Sequence, residues 1–206
     1  MYKRVDDGPL SAKLYPGNDY LTVAYVGFGG IAVNGPELRE KLIRSHMGSY
    51  DLSPWFKVGN TTYDAYARFD VTSAKYVLVK KAELYRAHSF EHTFIRVFDE
   101  FLADDLYRFK SQIDETIEPG FVREGKPYPM KDHMYSFITG LFISEMRVGE
   151  EARRAVRKFR YVRNYLLSIR GYCLCRIVLF DLEDGIIFGN PAAQEVVKGY
   201  KKARYI

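Results

Sequence analysis

One stretch of the chain combines positive charge and aromatic rings in a pattern that suits binding of a polyanion. It runs from Gly149 to Ile169 and reads GEEARRAVRKFRYVRNYLLSI. Its apolar side chains are three or four residues apart, which indicates a helix with one buried face. This apolar stripe consists of Ala152, Val156, Phe159, Val162, Leu166 and Ile169. The opposite face is predicted to be solvent-exposed and cationic, without an acidic residue after Glu151.

The exposed face of this predicted helix offers two kinds of contact. Arginine and lysine side chains bind phosphate oxygens, and tyrosine rings stack on unpaired bases. Because Tyr161 and Tyr165 lie among the basic residues, we expect single-stranded RNA or DNA to bind in preference to duplex. The predicted nucleic-acid-binding residues are Arg153, Arg154, Arg157, Lys158, Arg160, Tyr161, Arg163, Asn164 and Tyr165, together with the C-terminal Lys198, Lys201 and Lys202.

Two other interpretations use the same basic face. It could dock on an acidic partner protein, or it could be a charged helix face that contacts only solvent. Ordinary exposed helices mix charges of both signs, because pairs four residues apart stabilise the helix. The absence of acidic residues after Glu151 favours a binding surface over a merely solvated one.

A metal-dependent nuclease is a further alternative, suggested by Asp114, Glu124 and Lys126. In such enzymes two carboxylates hold a divalent ion and the lysine positions the attacking water. They place the Glu-x-Lys pair on a core strand, whereas Glu124 is followed by Gly125 and a proline-rich segment. We therefore expect a non-enzymatic protein without a catalytic site, metal or cofactor.

Two more motifs are too weak to indicate a site. Residues 120–126, GFVREGK, match the GxxxxGK pattern of nucleotide-binding loops, but Pro127 stands where Ser or Thr would hold magnesium. The four histidines have no cysteine or carboxylate at zinc-ligand spacing. They are His46, His88, His92 and His133.

The charge of the chain is unevenly distributed. The 206 residues carry a net charge of +5, with 47% hydrophobic residues, enough for a well-buried core. Residues 148–206 contain twelve basic and six acidic residues, whereas residues 1–147 contain nineteen and twenty. The excess positive charge therefore lies entirely in the C-terminal part, as expected for a surface that binds nucleic acid.

The sequence also bears on location. We expect no membrane contact, because no apolar run approaches the roughly 20 residues of a spanning helix. Two aspartates in the N-terminal MYKRVDDGPL argue against a signal peptide. Cys173 and Cys175 are too close together for an unstrained disulfide and are predicted to be small core residues, so a cytoplasmic location is expected.

Elements before residue 117 are predicted to form an N-terminal α+β lobe, residues 1–116. Asn34 is expected to cap a helix that buries Leu38 and Leu42. Residues 47–60 are predicted to be a loop. The other predicted elements are a hairpin of residues 10–15 and 20–33, a hairpin of strands 61–71 and 75–87, and a helix over 89–116 with a buried stripe of phenylalanines.

Residues 117–131, rich in proline and glycine, are predicted to connect this lobe to a C-terminal basic α+β lobe, residues 132–206. That lobe is expected to contain an apolar helix over 132–146, the basic helix, a hairpin of strands 172–182 and 186–188, and a terminal helix from Asn190. Asp181, Glu183 and Asp184 are predicted to belong to a solvated turn. The sequence thus predicts an α+β fold of antiparallel β-hairpins packed against several helices, in two lobes.

Overall fold

The computed structural model describes residues 33–76 and 83–206. The predicted hairpin of residues 10–15 and 20–33 therefore lies outside the described residues, apart from Val33. The helices are α1 (Gly35–His46), α2 (Ala103–Gln112), a π-helix (Ile113–Val122), α3 (Glu150–Lys158), a 3-10 turn (Pro191–Ala193) and α4 (Gln194–Lys202). The strands are β1 (Asp51–Val58), β2 (Thr61–Tyr76), β3 (Glu83–Phe98), β4 (His133–Ser144), β5 (Val162–Asn164), β6 (Tyr172–Asp181) and β7 (Ile186–Gly189).

The seven strands of the described residues form one mixed sheet, so the fold is α+β. The strand order is β1-β2-β3-β4-β6-β5, and β7 pairs with the part of β6 beyond β5. Strands β3, β4 and β6 are parallel, with Thr93, Thr139 and Arg176 in register, and all other pairs are antiparallel.

Strands β2 and β3 are antiparallel, but the hairpin predicted for residues 61–71 and 75–87 has the wrong turn, since residues 72–76 continue β2 and pair with β3. Strands β6 and β7 also pair antiparallel, where strands 172–182 and 186–188 are predicted, but the predicted arrangement of antiparallel hairpins is not confirmed, because the centre of the sheet is parallel. The reason is that helices occupy the connections from β3 to β4 and from β4 to β6, and such crossovers return the chain in the same direction. Strands β3 and β4 lie on either side of residues 117–131 and pair with each other. The two predicted lobes are therefore not confirmed.

Helices cover both faces of the sheet. The first face packs against α2, the π-helix and α3, around buried side chains that include Phe94, Phe142 and Ile177. The second face packs against α1 and α4, around Ile95, Leu141 and other aliphatic residues. Helices α3 and α4 consequently lie on opposite sides of the sheet.

The first helix forms as predicted. Asn34 Oδ1 accepts a hydrogen bond of 2.8 Å from Glu37 N–H, and Leu38 and Leu42 are fully buried. The predicted loop after it is wrong, because residues 51–58 form the edge strand β1. Trp55 interrupts the pairing of β1 with β2 at a positive φ of 52° and exposes 65% of its surface, whereas Phe56 stacks on Tyr66.

The helix predicted over residues 89–116 is wrong in its first part, where the chain continues β3 to Phe98. Phe90, Phe94 and Phe98 are four residues apart, and this spacing also keeps side chains on one face of a strand. The helix predicted over residues 132–146 is strand β4. It is a strand buried between two parallel neighbours, which has a continuous apolar run instead of an alternating one.

The connector predicted from residue 117 begins too early. The helical path continues as the π-helix to Val122, with Pro119 inside it. The π-helix buries Ile113, Ile117 and Val122 against the sheet. This packing stabilises the helical conformation beyond residue 117 despite the proline. The π-helix also carries Glu118 into the core, where the side chain is fully buried.

Candidate nucleic-acid interface

Helix α3 carries the basic residues, but it is shorter than predicted. It ends at Lys158, and Phe159 already has extended backbone angles. Phe159 and Tyr161 are buried while Arg160 and Val162 are exposed, so the segment alternates and then pairs with β6 as β5. The helical stripe is correct for Ala152 and Val156 and wrong from Val162 onward.

The two predicted stacking tyrosines are not on the surface. Tyr161 exposes 9% of its surface and Tyr165 3%. The Tyr165 hydroxyl donates a hydrogen bond of 2.6 Å to Glu118 Oε1. Burial raises the pKa of both phenols well above the ordinary value. The assignment of these rings to base stacking is therefore wrong, and neither tyrosine can supply a preference for single-stranded nucleic acid.

Arg153 does not belong to the exposed basic face that the sequence predicts. It is part of an ion-pair network. Its side chain is 13% exposed, and its guanidinium contacts Asp181 at 2.7 Å and also Asp184. Hydrogen bonding to Asp184 raises the pKa of Arg153, and the same bond lowers the pKa of Asp184. Asp181 is fully buried and accepts a 3.0 Å hydrogen bond from Val148 N–H, so its prediction as a solvated residue is wrong.

Arg163 belongs to a second network, around the buried Glu118. The carboxylate accepts hydrogen bonds of 2.7 and 3.1 Å from Arg123 and of 2.9 Å from Arg163. The bond to Glu118 raises the pKa of Arg123. Arg163 remains 46% exposed, while Asn164 is exposed at the end of β5. This network ties the π-helix to β5 and to Tyr165.

Four cations of this segment are exposed and belong to neither ion-pair network, and we call them the α3 basic surface: Arg154, Arg157, Lys158 and Arg160. None of the four forms an ion pair with an acidic side chain in residues 33–76 or 83–206. The Arg157 guanidinium lies 5.6 Å from the centre of the Phe188 ring. Arg160 donates to the carbonyl oxygens of Arg157 and Phe159 at 3.1 and 2.9 Å, which holds it at the end of the helix.

The predicted lysines of α4 do not join this surface. Lys198, Lys201 and Lys202 are exposed, but α4 packs on the opposite face of the sheet. Lys198 also pairs with Glu195 at 2.7 Å. The structure thus divides the twelve predicted residues into the α3 basic surface, two ion-paired arginines, two buried tyrosines, Asn164 and the separate α4 lysines.

The residues considered for a nuclease are not brought together. Lys126 pairs with Glu124 at 3.1 Å on the surface, while Asp114 pairs with Lys110 at 2.7 Å on the helix. Across the described parts of the chain, no three His, Cys, Asp or Glu residues are placed to hold a metal ion. Residues 120–126 begin in the π-helix and end in a turn, so the strand and helix that flank a nucleotide-binding loop are missing there.

Two of the histidines are core residues on the first face of the sheet. His92 is 2% exposed, and its Nδ1 lies 2.7 Å from the Tyr66 hydroxyl. His133 Nδ1 lies 2.8 Å from the carbonyl oxygen of Arg170, and its Nε2 lies 2.8 Å from Ser136 Oγ. Burial lowers the pKa of both imidazoles, that of His92 from 6.5 to about 3.

We expect this burial to make the fold less stable as the pH falls from 7 to 5. Below pH 6.5 the unfolded chain takes up a proton on His92 and the folded chain does not, so protonation favours unfolding. One such histidine contributes up to about 1.4 kcal/mol of unfolding free energy per pH unit. Urea unfolding of the wild type and of His92→Gln across this range measures the effect. The variant should show a shallower dependence, and equal slopes would contradict a buried neutral His92.

Residues 35–202 match the family model described as Domain of unknown function (DUF8052), and the chain belongs to this family. No curated protein and no solved structure matches the chain. Among the residues that the structure describes, no helix has the length and apolar character needed to cross a bilayer. Cys173 and Cys175 are free and buried, as predicted for core residues.

Proposed function

We propose that this DUF8052 protein binds nucleic acid through the phosphate backbone, using the α3 basic surface. One observation carries the proposal: four exposed cations stand together without an acidic partner in the described residues. The sequence agrees, because residues 152–180 contain eight Lys or Arg and no Asp or Glu. A surface of one sign attracts a polyanion, and each contacted phosphate releases condensed counterions.

A structural role explains only part of this surface. Arg157 and Lys158 lie in the last turn of α3, where positive charge stabilises the helix dipole, and Arg160 binds carbonyl oxygens at the helix end. Arg154 has neither role, and none of these roles requires the acidic residues to be absent. A merely solvated helix gains from pairs of opposite sign. Glu150 and Arg154 have the spacing of such a pair in α3, but they form no ion pair in the structure.

The form of nucleic acid in this proposal is duplex. With Tyr161 and Tyr165 buried, the surface offers charge but no exposed tyrosine ring from this segment. Duplex DNA carries one phosphate charge per roughly 1.7 Å of its axis, so it presents a higher charge density than a single strand. Contacts to phosphates carry no direct sequence information, and we therefore propose binding without strong sequence preference. A cytoplasmic location belongs to the same proposal and is supported by the two free thiols.

A salt titration of the wild-type protein tests the proposal. Fluorescence anisotropy with a labelled 24-base-pair DNA duplex, the matching RNA duplex and one single strand is measured between 50 and 200 mM salt. If the four cations each contact one phosphate, the logarithm of duplex affinity should fall with the logarithm of salt with a slope of about −3 to −4. Absence of binding at the lowest salt, or an affinity for duplex that does not depend on salt, would overturn the proposal. The α3 basic surface would then be assigned to the alternative, docking on an acidic partner protein.

A further inference from the structure

The loop between β5 and β6, residues 165–171, exposes large apolar side chains at its tip. Leu167 is 96% exposed, Ile169 78% and Leu166 41%. The sequence places Leu166 and Ile169 on the buried stripe of a helix, and both are instead in solvent. Apolar side chains exposed together on a folded surface mark a site of contact with another molecule.

This loop, which we call the leucine turn, has a defined backbone. Leu166, Leu167 and Ser168 have φ values of 48°, 53° and 70°, three successive left-handed residues without glycine. Left-handed backbone is unfavourable for residues with a side chain, and such strain is concentrated at functional sites. Three backbone hydrogen bonds close the turn: Ile169 N–H to Leu166 O, Arg170 N–H to Tyr165 O and Gly171 N–H to Ser168 O, at 3.0 to 3.1 Å.

The base of the leucine turn is anchored to the core. Tyr165 is buried and bonded to Glu118, and Arg170 Nη1 donates to the carbonyl oxygen of Pro129 at 3.3 Å. Gly171 has a φ of 69°, and a Cβ there would lie 2.1 Å from the Met134 carbonyl oxygen. These contacts fix the turn, so Leu167 protrudes from a rigid support.

Positive charge continues from the α3 basic surface to this turn. Arg160 and Arg163 lie between α3 and the turn, and Arg170 lies at its base. The strand β5 spans only three residues, roughly 10 Å at 3.3 Å per residue, so one ligand can reach both features. The exposed leucine is thus next to cations that suit a polyanion.

We propose that Leu167 is a wedge that inserts between base pairs of a duplex bound by the α3 basic surface. This inference rests on the proposed function and adds a deformation of the duplex to it. Proteins that bend DNA insert apolar side chains between base steps, which unstacks the bases and kinks the duplex by roughly 20–90°. Cations beside the wedge neutralise the phosphates that the kink brings closer to the protein.

Two properties of the leucine turn favour a duplex over a lipid surface. Insertion between base pairs needs a side chain on a backbone of fixed conformation, which the three hydrogen bonds supply, whereas lipid tails accept any apolar geometry. The tip also contains polar groups, since Ser168 Oγ donates to Asn164 Oδ1 at 3.3 Å between the apolar side chains. Such groups lose hydration in a bilayer and can remain near phosphates on a duplex.

The test measures bending separately from binding. A 24-base-pair duplex with a donor and an acceptor dye at its ends, and a 2-aminopurine in the middle, is titrated with wild-type protein and with Leu167→Ala. Wild type should raise both energy transfer and 2-aminopurine fluorescence, as a kinked and unstacked duplex does. Leu167→Ala should lose both signals and keep the salt slope, because it removes no charge.

Leu102→Ala is the matched control, because it deletes the same atoms from a residue that is 50% exposed. Leu102 follows the end of β3, whereas the leucine turn precedes the start of the parallel strand β6, so the two leucines lie at opposite ends of the sheet. The control should bend the duplex as the wild type does. Since Leu167 is almost fully exposed, Leu167→Ala should fold normally by circular dichroism.

Three outcomes would overturn the wedge. Wild type that binds with the expected salt slope but leaves the duplex straight contradicts the wedge and leaves the proposed function intact. Equal bending by wild type and Leu167→Ala contradicts it as well. Binding to vesicles of phosphatidylserine that is lost in Leu167→Ala, without duplex bending, would assign the turn to a lipid surface. If the wild type binds no duplex, the proposed function is wrong, and the wedge that rests on it is wrong as well.

Discussion

Replacement of Phe101 with Ala is expected to lower the free energy of unfolding by about 3–5 kcal/mol. The Phe101 side chain is fully buried, and its ring centre lies 5.2 Å from that of Phe98 and 5.4 Å from that of Phe142. Truncation removes the buried ring and leaves a cavity that its neighbours cannot fill. Because domains are typically stable by about 5–15 kcal/mol, urea unfolding should show a large fall in the midpoint.

Phe98→Ala is the control for this prediction. Phe98 is only partly buried, so its truncation should cost less than that of Phe101 although both rings contact Phe142. The aromatic cluster lies where β3 ends and α2 begins, and Phe101 N–H also donates to Ser144 Oγ at 3.0 Å. A Phe101→Ala variant that unfolds at the same urea concentration as the wild type would contradict this packing.

Elements with a local signal could be predicted from the sequence. The cap at Asn34, the strand that begins at Thr61, the strand that begins at Tyr172 and the turn at Gly185 all appear where expected. Each depends on residues that are close along the chain. The predicted α+β class follows from these elements and is correct.

Elements decided by distant contacts could not be predicted. The spacing of Phe90, Phe94 and Phe98 fits both a helix and a strand, and only pairing with β2 and β4 selects the strand. The apolar run of β4 is equally ambiguous without its parallel neighbours. The parallel centre of the sheet follows from these two strands, so both errors led to the wrong arrangement of hairpins.

In the candidate site, too, contacts between residues distant in the sequence could not be predicted. Lys158, Phe159, Arg160 and Tyr161 alternate between polar and aromatic, a strand signal that the helical stripe of the preceding residues obscured. The partners of Arg153 and Arg163 are 28 and 45 residues away, and no local pattern indicates them. Basic residues could thus be identified from the sequence, but which of them remain free could not.

Two variants with equal loss of charge test most directly whether the α3 basic surface binds phosphates. The first replaces Arg154, Arg157 and Arg160 with Gln, which keeps a similar helix propensity. The second replaces Lys198, Lys201 and Lys202 of α4, on the opposite face of the sheet, also with Gln. Both lower the net charge by three, so a general effect of charge is the same in each.

The measurement is the slope of log affinity against log salt for duplex DNA. We expect the α3 variant to bind more weakly with a slope flatter by about 2.7, since each lost phosphate contact removes about 0.9. The α4 variant should keep a slope close to that of the wild type. If the α3 variant binds with the wild-type affinity and slope, or if the two variants lose the same amount, the α3 basic surface is not the binding site.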